Sequence, residues 1–197
     1  FVGWGIQDET WGLGYHVLPG QTKEPGVWKD LEELLKASRW KHAQLGTLRP
    51  VKGCIDSNYL PSTVRKWCKK FGATRAIPST GSRVLGDPIC RSYHLDKLRG
   101  VRVLSIGTHE AKDQIFDRIG RPMDEAGCMH YPAIDCYGQT YFQNLTETEV
   151  GSQKQARDGN FYTHYDKVSD SARNEPLDIR VYAWAAMRKL NPNYGKI

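Results

Sequence analysis

The sequence predicts an α/β protein, and three observations carry that expectation. A strand-like run ending at Ile55, an amphipathic helix over Pro61 to Phe71 and a second strand-like run over Thr74 to Pro78 form a strand–helix–strand unit, which favours parallel pairing. The segment from Ala172 to Lys189 places Leu177, Val181, Trp184 and Ala185 at helical spacing, so a long amphipathic helix closes the chain. A length of 197 residues with 39% hydrophobic and 25% charged content is enough to bury a real core.

Taken in order, Phe1 to Gly5 reads as the end of a strand, Gln7 to Glu9 as a turn, and Thr10 to Leu18 as a second strand stopped by Pro19-Gly20. Glu24 to Ala37 follows as a helix with Pro25 in its first turn and Val27, Leu31, Leu34 and Leu35 on one face. Ser38 to Thr47 is polar and reads as a loop. Leu48 to Ile55 is the next strand, with Asp56 where it ends and Ser57-Asn58 turning the chain. The helix from Pro61 to Phe71, closed by Gly72, turns Val64, Trp67, Cys68 and Phe71 inward and Arg65, Lys66, Lys69 and Lys70 outward. Ser79 to Asp87, including Arg83, is a Gly/Ser/Arg loop suited to touching phosphates.

Val101 to Ile106 is a strand, and Thr108 is placed to cap a helix from His109 to Ile119 with Ala111, Ile115 and Ile119 inward. Met129 to Pro132 is short and extended, and Gln139 to Leu145 is a brief helix packing Tyr141, Phe142 and Leu145. Thr146 to Val150 and Asn160 to Val168 read as a hairpin around Gln153 to Gly159. The last helix begins near Arg173 and ends before Asn191-Pro192. No repeat, low-complexity tract or linker divides the chain, so residues 1–197 read as a single domain. It opens without Met inside an apolar strand pattern, as expected of a domain truncated at its N-terminus.

No apolar run approaches a membrane span, and Phe1-Val2-Gly3-Trp4-Gly5 lacks the features of an export signal. The expectation is a cytosolic protein with no membrane partner. Cysteines 54, 68, 90, 128 and 136 form no CxxC pair, and their odd count argues against a disulfide framework. Cys128, His130 and Cys136 match no structural zinc spacing. The net charge is +6, yet Ser62 to Arg102 alone holds ten basic residues against Asp87 and Asp96. Such concentration is what phosphate neutralisation requires, although a solvated face without a ligand has the same composition.

The acids worth following lie at element ends. Asp56, at the carboxyl end of a strand in a parallel sheet, stands where sites form, or else is a turn or helix-cap residue. Asp178 and Glu175 lie in the first turns of the last helix, where acids complement the helix dipole, but Asp178 also flanks the apolar stripe, with Asn174 four residues before it. His109 and Glu110 have the same two readings at the start of their own helix.

These pieces, in this order, resemble the C-terminal nuclease domain of the large terminase subunit of lambda-like tailed phages (the GpA-type terminase). The resemblance spans nearly the whole chain and rests on VGWG with its acidic turn, CIDSN ending in Asp56, IGTHEAKDQIFDRI over Ile106 to Ile119, MHYP with YFQNLTETE over Met129 to Glu149, and RNEPLDIRVYAWAA over Arg173 to Ala186. The last is the most specific. The resemblance implies an RNase H-like mixed sheet flanked by helices, and a metal-dependent endonuclease that cuts concatemeric double-stranded DNA during packaging.

Such chemistry activates a water and stabilises a leaving oxygen with two Mg²⁺ or Mn²⁺ ions about 4 Å apart. Hard cations take carboxylate oxygens, which points to Asp56 and Asp178 as metal ligands, with Glu175 as a further catalytic candidate. DNA contacts are expected from Arg65, Lys66, Lys69, Lys70, Arg83 and Asn174. The resemblance further implies the terminase ATPase domain, the small terminase subunit and the portal as partners, and the host bacterial cytoplasm as the location. The family's first catalytic aspartate precedes the position matched by VGWG, so an incomplete site is expected, and with it a second reading as a non-catalytic DNA-binding or assembly module. A third is another RNase H-like enzyme such as a resolvase or transposase. The Gly-rich phosphate loop of an ATPase is absent from this stretch.

Overall fold

In a computed structural model the structure describes residues 1–82 and 84–192. Strands β1 (Val2–Trp4) and β2 (Thr10–Gly12) pair antiparallel and lead into helix α1 (Pro25–Ala37). A short hairpin, β3 (Trp40–His42) and β4 (Gly46–Leu48), precedes strand β5 (Gly53–Asp56), helix α2 (Pro61–Phe71) and strand β6 (Ala76–Ser82). Then come β7 (Ser92–Asp96), β8 (Val101–Gly107), helix α3 (Thr108–Ile119) and β9 (Met129–His130). Helix α4 (Gln139–Thr146), hairpin strands β10 (Glu149–Gln155) and β11 (Phe161–Lys167) and helix α5 (Glu175–Leu190) complete the chain.

The main sheet runs in the order β5-β6-β8-β7, with the first three strands parallel and β7 antiparallel at the edge. The expected mixed sheet flanked by helices is therefore present. Both faces are covered, as parallel strands require. Along β6, Ala76 and Ile77 alternate between the two sides. Ala76 meets Val64, Trp67 and Cys68 of α2, with Trp28, Leu31 and Leu35 of α1 packed over them. Ile77 joins Leu104, Ile106, Ala111 and Ile115 beneath Leu177, Val181, Trp184 and Ala185 of α5. All four α5 stripe residues are buried. A second small sheet, β1-β2-β9, packs alongside, and Trp4 meets Trp184 edge-on at 5.2 Å.

Helix α2 starts with Pro61 and ends at Gly72, whose φ of +116° lets its N–H reach the Cys68 carbonyl at 3.0 Å. At the β8–α3 junction the cap expected from Thr108 is not made. Gly107 holds the N-cap position, and Thr108 Oγ1 donates instead to the Ser82 carbonyl at 3.4 Å. A β-carbon at Gly107 would overlap the Asp87 carbonyl, so this crossing of chains accepts only glycine.

Other boundaries moved for visible reasons. Within Ser38 to Thr47 lies most of the β3–β4 hairpin, too short and polar to announce itself, turned by Gly46 at φ +73°. The strand expected from Thr10 ends at Gly12, and that expected from Leu48 is split: Leu48 closes β4 against Trp40, and pairing resumes over Gly53–Asp56, beyond Pro50. Strand β6 runs on to Ser82 through the polar Ser-Thr-Gly-Ser expected to be loop, because its neighbour β8 supplies the ladder. Replacing Trp184 by Ala is expected to lower stability by about 3–5 kcal/mol, read from urea denaturation, since it empties a fully buried indole site.

Candidate functional site

Asp56 ends β5 on the carboxyl edge of the parallel strands, opposite Ser79. The strand end is fixed by its neighbour: the N–H and Oγ of buried Ser57 both donate to the Ser79 carbonyl, at 2.8 and 2.9 Å. Asp56 Oδ1 accepts the Asn58 N–H at 2.9 Å, the turn that leads to α2. Its side chain stays exposed at the sheet edge.

From the other side α5 lays its apolar stripe on the sheet, and this fixes the rotation of the helix. Asp178 and Tyr182, one turn apart, then share the flank that faces Asp56. Burial and the Asp56 and Asp178 charges push the Tyr182 phenol well above its ordinary range, so it keeps its proton. Burial likewise pushes the Asp178 carboxyl up; the Lys112 ammonium opposes this, while Glu149 and Asp56 add to it.

Behind Asp178 lies a buried ionic cluster that sequence reasoning did not single out as functional. Lys112 of α3 donates to both oxygens of Glu149, at the start of β10, at 2.7 and 2.6 Å. Asn174 Nδ2 donates to Glu149 Oε1 at 2.6 Å, and Lys112 Nζ stands 3.7 Å from Asp178 Oδ1. The Lys112 and Glu149 side chains are 9% and 3% exposed, against 45% for Asp178. The available signal lay in the AK of Ile106 to Ile119 and the TE of LTETE, but nothing in spacing says that residues 37 apart will meet.

Several expected site residues take other places. Asn174, expected at DNA, is buried with its amide turned to Glu149. Arg65, expected to point outward, is mostly covered and pairs with Asp96 at 3.1 Å, because Asp96 also holds Arg99 and ties α2 to the β7–β8 turn. Lys66, Lys69 and Lys70 are exposed, with Lys69 donating to the Arg99 carbonyl at 2.8 Å. Arg83 lies outside the described residues.

Among the described residues no three His, Cys, Asp or Glu side chains come together so as to hold a metal ion, and Glu175 is exposed at the start of α5. Nor do Cys128, His130 and Cys136 form a cluster; His130 stacks on Trp11 at 5.0 Å. His109 is occupied structurally, its Nδ1 accepting the Tyr165 N–H at 3.1 Å.

The chain matches, over residues 1–196, the family described as terminase large subunit gpA, endonuclease domain. It is 31% identical over 194 residues to the terminase large subunit of Escherichia phage lambda, and 26% identical over 193 residues to that of Enterobacteria phage P21. Each match covers 94% of this chain and 29% of the relative, so the chain spans less than a third of their length. No solved structure matches it.

The cluster makes two outcomes measurable. Lys112→Met leaves the Glu149 carboxylate buried without its cation and is expected to lower stability by about 3–5 kcal/mol in urea denaturation, most of which returns in Lys112→Met/Glu149→Leu. Asp178 has a folded pKa above its unfolded value, so its ionisation opposes folding once pH rises through that raised value. Asp178→Asn is therefore expected to stabilise the protein near pH 7, by less than about 1 kcal/mol because the group is half exposed. The gain should vanish in melts below about pH 3, where the acid is largely protonated in both states.

Proposed function

The chain belongs to the endonuclease-domain family of the terminase large subunit gpA, and on that premise we propose that it hydrolyses phosphodiester bonds of double-stranded DNA at Asp56 and Asp178 with divalent cations. The observation that carries this reading is the packing of α5 against β5, which sets Asp178 on the helix beside the strand that ends in Asp56, so that two carboxylates come from unrelated elements at one edge. Structural ion pairs bring unlike charges together, whereas like charges held at an open edge suit a cation. The donors fit Mg²⁺ or Mn²⁺, which take oxygen ligands and are commonly held by one or two carboxylates, with waters and substrate phosphate oxygens filling the rest. When bound, one or two such ions supply a Lewis acid for the phosphate and a water of lowered pKa.

The protein's own residues then do the positioning. Asp56 is held by the β5–β6 ladder and the Asn58 N–H, and Asp178 by the seated helix. Lys112, anchored by Glu149, keeps a positive charge beside Asp178 and offsets part of its desolvation. Asn174 serves as a support of that anchor, and Lys66, Lys69 and Lys70 offer charges to the phosphate backbone. The same reading includes an RNase H-like ground plan, the cutting of concatemeric phage DNA in the host bacterial cytoplasm, and the ATPase domain, small subunit and portal as partners. No helix among the described residues is long and apolar enough to cross a membrane.

A second reading, a DNA-gripping or assembly module without turnover, is favoured by the lack, among the described residues, of any group of three His, Cys, Asp or Glu side chains that could hold a metal ion. Nicking of supercoiled plasmid separates the two. Cleavage is expected with Mn²⁺ or Mg²⁺ and not with chelator, and Asp56→Ala or Asp178→Ala should each slow it by about 100-fold or more, some 2.7 kcal/mol in the barrier. Cleavage untouched by Asp178→Ala overturns the assignment; metal-independent inactivity with retained DNA binding establishes the second reading.

A further inference from the structure

A groove of about 900 Å³ runs between α1 and α2, on the opposite face of the main sheet from α5. Its floor is aromatic: Trp28 and Trp67 meet at 5.4 Å between ring centres, and Phe71 stacks on Trp67 at 4.9 Å. Trp67 is 9% exposed, so the floor is closed packing and leaves no pocket for an inserted side chain or base. The chemistry of the groove is therefore on its rims.

The α2 rim carries Ser62, Lys66 and Lys70, spaced four residues apart and thus about 6 Å along the helix axis. The α1 rim carries Lys29 and Lys36, with Lys23 just before the helix. The Trp28 indole N–H donates to the Thr22 carbonyl at 2.8 Å, pinning the segment that bears Lys23. Two acids share the α1 rim, and each is matched on its own helix: Lys29 meets Glu33 at 3.6 Å, and Lys36 pairs with Glu32. Among the described residues Lys23, Lys66 and Lys70 have no carboxylate within ion-pair distance. Both rims together hold five lysines against two glutamates.

Lysines present mobile, hydrated point charges that follow a phosphate backbone without reading sequence. Helix α2 starts five residues beyond Asp56 and its rim one residue later, at Ser62, so the groove begins close in the chain to the edge that carries that acid. We propose that the α1–α2 groove seats the phosphate backbone of duplex DNA, with Lys23 and the α1 lysines forming a second rim opposite Lys66 and Lys70. The inference rests on the nuclease reading for its choice of duplex DNA and extends the contact surface to α1, a helix outside the basic segment of the sequence.

Binding is measured without divalent ions, by fluorescence anisotropy of a labelled duplex over a series of salt concentrations, in the protein carrying Asp178→Asn. Lys66→Ala/Lys70→Ala is expected to weaken binding about ten-fold and to reduce the slope of log K against log salt by about 2, since each phosphate contact contributes roughly 0.9. Lys23→Ala/Lys29→Ala, on the other rim, should act in the same direction, while Glu32→Gln/Glu33→Gln tightens binding. Lys41→Ala, on the β3–β4 hairpin away from the groove, should bind as the parent does.

The lysines changed are exposed and Glu32 is half-buried, so unchanged thermal melts will show that the fold is intact. The proposal is overturned if the α1-rim variants keep the parent affinity and slope. It is also overturned if polyglutamate of equal charge competes as well as duplex, which would mark the groove as a site for acidic protein. Binding as described by a protein that never cuts plasmid sinks the nuclease reading alone; cutting by the wild-type protein with α1-rim variants unaffected in binding or cleavage sinks the groove alone.

Discussion

The structure turns on the buried pairing of Lys112 with Glu149. It joins three elements that no sheet ladder connects: α3 supplies the lysine, the first residue of β10 supplies the glutamate, and Asn174 at the head of α5 hydrogen-bonds the same carboxylate. Two charges removed from water are tolerated only when their remaining valences are filled. Here the two Lys112 bonds and the Asn174 bond all fall on Glu149, leaving the side of the ammonium near Asp178 as the outlet for its charge. The pairing thus sets the position at which α5 begins and carries a positive charge to the edge of the candidate site.

The seating of α5 then divides the labour along one helix. Leu177, Val181, Trp184 and Ala185 hold it to the sheet through burial, and Trp184 adds an indole N–H bond to Gln114 at 3.0 Å and the Arg118 guanidinium 4.7 Å from its ring. Asp178 and Tyr182 occupy the flank that this burial cannot use. Polar groups crowded there oppose folding, and the stripe holds them in place. Arg180 shows the same tolerance: it is 2% exposed, its guanidinium has no hydrogen bond among the described residues, and it rests on the Tyr131 ring at 4.9 Å.

What the sequence makes legible is periodicity and local chemistry. The spans of α1, α2 and α5 and the four-residue stripe of α5 are written in spacing that tertiary structure does not overrule, whereas the first hairpin strand, expected over Thr146 to Val150, lies at Glu149–Gln155 because β11 pairs with residues expected to turn. Asp56 at a strand end and Asp178 beside an apolar stripe are legible as positions, on β5 and on α5, two elements that pack against one another. Illegible features depend on distant partners. Strand β7, with its exposed and irregular Ser-Tyr-His-Leu-Asp, exists because β8 offers an edge to pair with. The polar end of β6 is strand for the same reason. Glu149 looks like one acid among several in a Thr-Glu-Thr-Glu run until α3 delivers Lys112 to it.

The basic region illustrates how composition and structure divide a charge. Ten cations between Ser62 and Arg102 suggest one continuous phosphate-binding surface. Folding sorts them by side-chain type. Arg65 and Arg99 converge on Asp96, Arg91 pairs with Asp87, and Arg75 and Arg102 lie over Phe71 and Tyr93. A planar guanidinium with a fixed fork of donors and a face that stacks is suited to such fixed joints. The two acids of the region are consumed in the process, leaving Lys66 and Lys70 exposed and without carboxylate partners on α2. Part of the excess positive charge lies along one rim of one helix, and across the groove stand the α1 cations Lys29 and Lys36, which each face an acid and so contribute little to the net charge of the sequence around them. A charge count along the chain finds the first rim and misses the second, because an ion pair cancels in the count but still presents an ammonium to a phosphate that approaches from outside.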